Sequence, residues 1–143
     1  MRISRILEAK GTFVATVPSD CPITELLSKL AEHRIGAVLV VDGEGEIRGM
    51  ASERDVVRAL NVDGAEVLAR PVASLMTDLV ATCTPSSTIE EIAVVMTENR
   101  VRHVPVLDDE GKLLGIVSIG DVVKARIDQL EHDRKTLIDY ITS

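Results

Sequence analysis

The sequence predicts an α/β (α+β) protein built from two tandem β-α-β-β-α motifs and a long carboxyl-terminal helix. Three observations carry this: an internal repeat, a change of apolar period within each copy, and a carboxyl-terminal run free of helix breakers. Displacing the chain by 66 residues lays Val14-Ala15-Thr16 on Val80-Ala81-Thr82 without a gap. In the same register Arg34, Val38, Val40 and Asp42 meet Arg100, Val104, Val106 and Asp108. Gly49, Ser52, Asp55, Val56 and Val57 meet Gly115, Ser118, Asp121, Val122 and Val123. More than a third of the positions in 14–59 are identical to their partners in 80–125, which marks a tandem duplication.

Each copy reads alike. Residues 13–17 and 79–83 form short β-branched runs expected to be strands. Ile23, Leu26, Leu27 and Leu30, like Ile89, Ile92, Ala93 and Met96, have helical spacing, predicting helices over 22–34 and 88–100. Thr88 followed by Glu91 is a capping box for the second of these. Strands are expected at 37–41 and 46–51, and at 104–107 and 113–117. They flank Asp42-Gly43-Glu44-Gly45 and Asp108-Asp109-Glu110-Gly111, turns with glycine available for positive φ. A last helix begins near Glu53 or Ile119, with Ser52 and Ser118 as N-caps.

One such unit is too small to bury its apolar face alone, so the two are expected to pack about a pseudo-twofold axis. The expected division is motif one with its lead-in at 1–60, a connector and second lead-in at 61–77, motif two at 78–126, and a helical extension at 127–143. Val72-Ala73-Ser74-Leu75-Met76 echoes Ile3-Ser4-Arg5-Ile6-Leu7, giving each copy a short helical lead-in.

Composition limits function. The 143 residues carry 16 Lys and Arg against 23 Asp and Glu, a formal net charge of -7. Duplex nucleic acid calls for a basic face, and single strands call for aromatic platforms. Phe13 and Tyr140 are the whole aromatic content, so nucleic acid is not an expected partner. No apolar run reaches the roughly 18 residues of a membrane span, and residues 1–4 lack a signal-peptide stretch, so a cytoplasmic placement without membrane partners is expected. Cys21 and Cys83 form no CxxC pair, so no metal site is expected. Cys21 aligns with Ser87 and Cys83 with Val17, leaving both thiols outside the repeated motif. With no Walker-type or GxGxxG loop, no enzyme activity and no catalytic residue are expected.

The repeated Gly49-x-x-Ser52-Glu53-Arg54-Asp55 and Gly115-x-x-Ser118-Ile119-Gly120-Asp121 is the most informative constellation. A helix amino terminus beside a serine receives a phosphate on unpaired N–H groups. A carboxylate in the first turn accepts hydrogen bonds from a ribose cis-diol. The same residues also make ordinary helix caps, and both readings stand. A second constellation is Arg100-Val101-Arg102-His103-Val104-Pro105-Val106 against Arg34-Ile35-Gly36-Ala37-Val38-Leu39-Val40. Pro105 belongs at a strand start or edge, where neighbouring backbone groups stay available to a flat heterocycle. Ile35, Val101 and Ile116 supply aliphatic walls for it. His103 serves either as a structural histidine or as a ligand contact.

The doubled unit, with Arg-His-Val-Pro-Val-Leu-Asp from Arg102 and Gly-Ile-Val-Ser-Ile-Gly-Asp from Gly115, resembles the cystathionine beta-synthase (CBS) domain. The pair resembles a Bateman module, from about Ile3 to Arg126. The resemblance implies a regulatory, signal-transducing sensor of adenosine-containing ligands, AMP foremost, with ADP, ATP, NAD-type dinucleotides and S-adenosylmethionine as further candidates. It implies two clefts between the copies, a homodimer of disc shape, and an effector protein that reads the ligand state. Carried over, Asp55 and Asp121 would hold ribose, and Ser52 and Ser118 would lie beside phosphate. Thr16 and Thr82, with the backbone near Ala37 and His103, would line the base pocket.

The copies differ where Gly36-Ala37 and Leu39 face Arg102-His103 and Pro105, and where Glu53-Arg54 faces Ile119-Gly120. Arg54 brings charge to a phosphate pocket and Gly120 permits close backbone approach, so two unequal sites are expected. Val123, Ile127, Leu130, Arg134, Leu137 and Ile141 recur at intervals of four and three. That helix packs either on its own protomer or across a dimer. The competing expectation is a ligand-free structural or oligomerisation module.

Overall fold

The computed structural model describes residues 1–11, 13–79 and 81–142. The chain divides into two compact units, Val14–Val80 and Met1–Phe13 with Ala81–Ser143.

The first repeat forms a three-stranded sheet in the order β1 (Thr16–Pro18), β2 (Ala37–Val41), β3 (Ile47–Ser52). β1 runs parallel to β2, and β3 is antiparallel to it. Helix α2 (Ile23–His33) covers the sheet through Ile23, Leu26 and Leu30, and α3 (Glu53–Asp63) adds Val56. Two 3-10 helices, Gly64–Ala69 and Val72–Ser74, follow, and Val67 and Val72 join the core of this unit.

In the other unit β4 (His103–Leu107) pairs antiparallel with β5 (Leu113–Ser118). Helices α1 (Ile3–Lys10), α4 (Ile89–Asn99) and α5 (Ile119–Thr142) complete it. Ile3, Ile6 and Leu7 are buried with Ile89, Ile92, Met96, Val104 and Val117. The amino-terminal lead-in therefore belongs with the second repeat, which corrects its expected grouping with residues 1–60.

The two lead-ins dock through matching backbone bonds. Ile3 N–H donates to Ser87 O at 2.9 Å and Ser4 N–H to Pro85 O at 2.9 Å, while Ile89 N–H reaches Met1 O at 3.1 Å. In the first-repeat unit, Val72 donates to Cys21 O, Ala73 to Ser19 O and Ile23 to Arg70 O at 2.8, 2.9 and 3.0 Å. The sequence echo between 3–7 and 72–76 is thus an echo of docking geometry.

The repeats also share their turns. Asp42 Oδ1 accepts from Glu44 and Glu46 N–H, as Asp108 Oδ1 does from Glu110 and Lys112 N–H. Gly45 and Gly111 close these turns at φ 79° and 80°.

One expected strand is reduced. Of 79–83, the described residues contribute just a parallel bridge between Cys83 and Val106. In the first repeat Leu39 N–H donates to Ala15 O at 3.2 Å. The matching positions are Pro105 and Ala81, and proline has no N–H to donate. Pro105 lies in the middle of β4, but its nitrogen faces the thin edge rather than the β5 ladder.

Candidate functional site

Both Ser-x-x-Asp motifs fold as reciprocal helix caps. Asp55 N–H donates to Ser52 Oγ at 3.3 Å, and Asp55 Oδ2 accepts from Ser52 N–H at 2.9 Å and Ser52 Oγ–H at 3.0 Å. In the second repeat Asp121 N–H reaches Ser118 Oγ at 3.1 Å, and Ser118 N–H reaches Asp121 Oδ2 at 2.8 Å. The cap reading is realised in each copy. It also fixes a hydroxyl and a carboxylate at the amino-terminal turns of helices 11 and 24 residues long.

In the first-repeat unit Ala37 pairs with Ser52, and Glu53 N–H donates to Gly36 O at 3.0 Å. Thr16 lies one strand over, opposite Leu39. Gly36, Ala37, Ser52 and Asp55 thus share one end of the sheet, and Arg54 is exposed on the first turn of α3. Ile35 and Gly36 line a cavity of about 430 Å³ with Leu27, Leu30, Ala31, Arg34 and Glu53. Glu53, next to Ser52, brings that cavity beside the amino terminus of α3, and its α2 lining was not among the expected site residues.

The second-repeat unit repeats the pattern. His103 pairs with Ser118, Pro105 pairs with Ile116, and Ile119 N–H donates to Arg102 O at 2.8 Å. His103 is half-buried in β4, Thr82 is exposed, and Val101 packs against the core of its unit. Gly120 is not demanded by crowding, because a Cβ there would meet Ser118 Oγ at an ordinary 3.6 Å. Among the described residues, no group of His, Cys, Asp and Glu has the arrangement of a metal site.

Sequence reasoning passed over Lys10. Its ammonium ends α1 2.7 Å from Asp121 Oδ2 and 2.8 Å from Ile116 O. Burial pushes the Asp121 carboxyl up, but the Lys10 ammonium and the Ser118 hydrogen bonds outweigh it and hold the group below the usual carboxylate range. Lys10 has no repeat partner to flag it: the register of the lead-ins sets it against Leu79.

A duplicated strand-helix-strand-strand-helix unit with a serine–aspartate cap at each last helix defines a tandem module of the CBS type. The CBS domain family model matches residues 11–62 and 72–128, and the chain belongs to that family. A CBS-domain containing protein of Agrobacterium tumefaciens superposes with TM-score 0.84 at 44% identity, over 88% of this chain and 99% of that one. A mitochondrial CBS domain-containing protein of Arabidopsis thaliana is 32% identical across 97% of this chain and 71% of its own length. A CBS domain protein of Pyrobaculum aerophilum, solved in complex with AMP, is 25% identical with TM-score 0.75, covering 85% of this chain and 89% of that one. Among the described residues no helix is long and apolar enough to cross a membrane.

Proposed function

We propose that this chain is a regulatory module, not an enzyme, that binds an adenosine-containing nucleotide and relays its presence to a partner protein. AMP is the leading ligand. The observation that carries this is the repeated cap, which sets Ser52 with Asp55 and Ser118 with Asp121 where a helix terminus meets a strand end. The AMP complex of the Pyrobaculum relative supports the ligand class. In this reading the two serines lie beside phosphate and the two aspartates hold ribose. Thr16, Ala37, Thr82 and His103 line the base, with Ile35, Val101 and Ile116 as apolar walls. Gly36, Arg54, Arg102, Pro105 and Gly120 shape the backbone and charge around them. Two free, buried thiols suit the reduced cytoplasm.

The test is thermal unfolding with AMP, ADP, ATP, NAD, S-adenosylmethionine and GMP. A ligand at about 100 times its Kd adds roughly 2.7 kcal/mol, a rise on the order of 5–15 °C at this size. A rise with an adenine ligand that Asp55→Ala or Asp121→Ala abolishes supports the reading, and a flat midpoint across the panel overturns it.

One feature favours assembly as well. Val123, Ile127, Leu130, Leu137 and Ile141 on α5 are all exposed, and beyond Ala125 no described residue of that helix is buried. A homodimer through this seam would cover them. Sedimentation of the wild type and of Ile127→Asp with Leu130→Asp distinguishes a dimer from a monomer.

A further inference from the structure

We infer that Lys10 sets the specificity of the Asp121 site, holding its acid in the absence of ligand and passing its charge to the ligand's phosphate on binding. The inference rests on the nucleotide reading above and concerns the second-repeat unit alone. Lys10 Nζ bridges Asp121 Oδ2 and Ile116 O, joining the acid proposed for ribose to a residue proposed for the base wall. The bridge is reachable from solvent, with the Lys10 and Asp121 side chains 39% and 24% exposed.

The first repeat is closed in a different way. There the equivalent carbonyl, Met50 O, accepts from Thr77 N–H at 2.9 Å, a fixed backbone bond with no mobile charge. In the second repeat that place is taken by an ammonium on a flexible four-carbon stem.

A ribose diol is neutral. If it replaces the ammonium at Asp121, it leaves Lys10 with no counter-charge. A nucleoside therefore displaces an ion pair and returns nothing to the cation. A nucleotide brings an anion to the first turn of α5, within a side chain's swing of Lys10 Nζ, and re-pairs it in a charge-assisted bond. The site then favours nucleotides over nucleosides through a residue that the other repeat lacks.

Calorimetric titration of the full chain with AMP and with adenosine tests this, using the binding component that Asp121→Asn removes as the signature of the site. Lys10→Met is expected to tighten adenosine and weaken AMP, narrowing the AMP-to-adenosine preference about three- to tenfold. Lys10→Arg is expected to retain the preference, and Lys10→Gln gives a second neutral variant should the Met variant fold poorly. An unchanged preference in both neutral variants overturns the inference, as does equal weakening of both ligands or the absence of any component that depends on Asp121. If neither AMP nor any other adenine nucleotide binds the wild type, the nucleotide reading itself fails, a result distinct from binding that ignores Lys10.

Discussion

Lys10 and Asp121, 111 positions apart, meet at 2.7 Å and tie the end of the first helix to the first turn of the last. The contact exists because α1 docks on the second repeat, where Ile3, Ile6 and Leu7 fill its core. The amino-terminal lead-in is thereby placed beside one of the two repeated aspartates. The homologous segment of the connector presents Thr77 to the first repeat instead, through a strand-like pairing with Met50. A duplicated sequence thus yields two caps with the same reciprocal backbone bonds and different neighbours.

That pairing gives Asp121 a pH signature. Its folded-state pKa lies below the ordinary carboxylate value, so its contribution to stability is present above that ordinary value and is lost as pH falls through the lowered one. Asp121→Asn keeps a capping side chain but loses the ion pair, and is expected to cost about 0.5–1.5 kcal/mol at pH 7. Urea unfolding at pH 7 and at pH 3 checks this. The gap between wild type and variant should narrow at the lower pH, and a gap of equal size at both would remove ionisation from the explanation.

Gly49 and Gly115 are matched in sequence but not in what presses on them. A Cβ at Gly49 would stand 2.5 Å from the Thr77 carbonyl oxygen, a backbone atom held by the Met50 pairing. A Cβ at Gly115 would meet Leu7 Cδ2 at 2.7 Å, the tip of a side chain that can rotate. Gly49→Ala is therefore expected to destabilise by about 2–3 kcal/mol and Gly115→Ala by roughly 1 kcal/mol. Denaturant midpoints of the two variants decide the order. A larger loss at Gly115 would show that Leu7 has no room to give.

These particular residues mark how far the sequence could be read. The repeat, the strands around Asp42 and Asp108, and the caps at Ser52, Thr88 and Ser118 were legible because each depends on local chemistry that spacing records. The docking of α1 was not. Ile3–Leu7 and Val72–Met76 look alike, but adjacency in the chain suggests that each serves the copy that follows or contains it. The choice between surfaces depends on apolar faces that spacing alone does not rank. Pro105 announced an edge, yet the thinning of the strand before it follows from a specific lost partner, the N–H that Leu39 gives to Ala15 O. Lys10 left no trace, since a contact made by one copy has no periodicity. The α2 wall of the cavity beside Ile35 was hidden for another reason: Leu27 and Leu30 read as core-facing helix positions, and Ala31 carries no pattern of its own.

Arg34 and Arg100 close α2 and α4 in the left-handed region, at φ 53° and 54°. A residue with a Cβ costs roughly 1–2 kcal/mol there, and glycine is the usual occupant of such helix ends. Glycine gives part of that back through the greater freedom of the unfolded chain. Arg34→Gly and Arg100→Gly are each expected to stabilise the protein by about 0.5–1 kcal/mol. A rise in the urea midpoint with unchanged slope would bear this out. A fall would mean that the guanidinium makes a contact outweighing the backbone strain.

Cys83 forms a parallel bridge with Val106 of β4, and its burial pushes the thiol up to about 11. Cys21 is raised as well, by burial first and then by the neighbouring Glu25. The thiolate is the reactive form, so at pH 8 both should resist a disulfide reagent in the native protein and react promptly in denaturant. The same displacement has a thermodynamic consequence at the alkaline end. Because the folded-state pKa of Cys83 exceeds the unfolded one, its contribution is complete below about 9 and fades as pH rises toward 11, where the unfolded chain alone releases the proton more readily. Cys83→Ala removes the ionising group while leaving an apolar side chain, and should flatten that part of the alkaline stability profile at the cost of a small cavity. A profile of the same steepness in the variant would assign the alkaline loss to other groups and leave Cys83 simply a packed apolar residue.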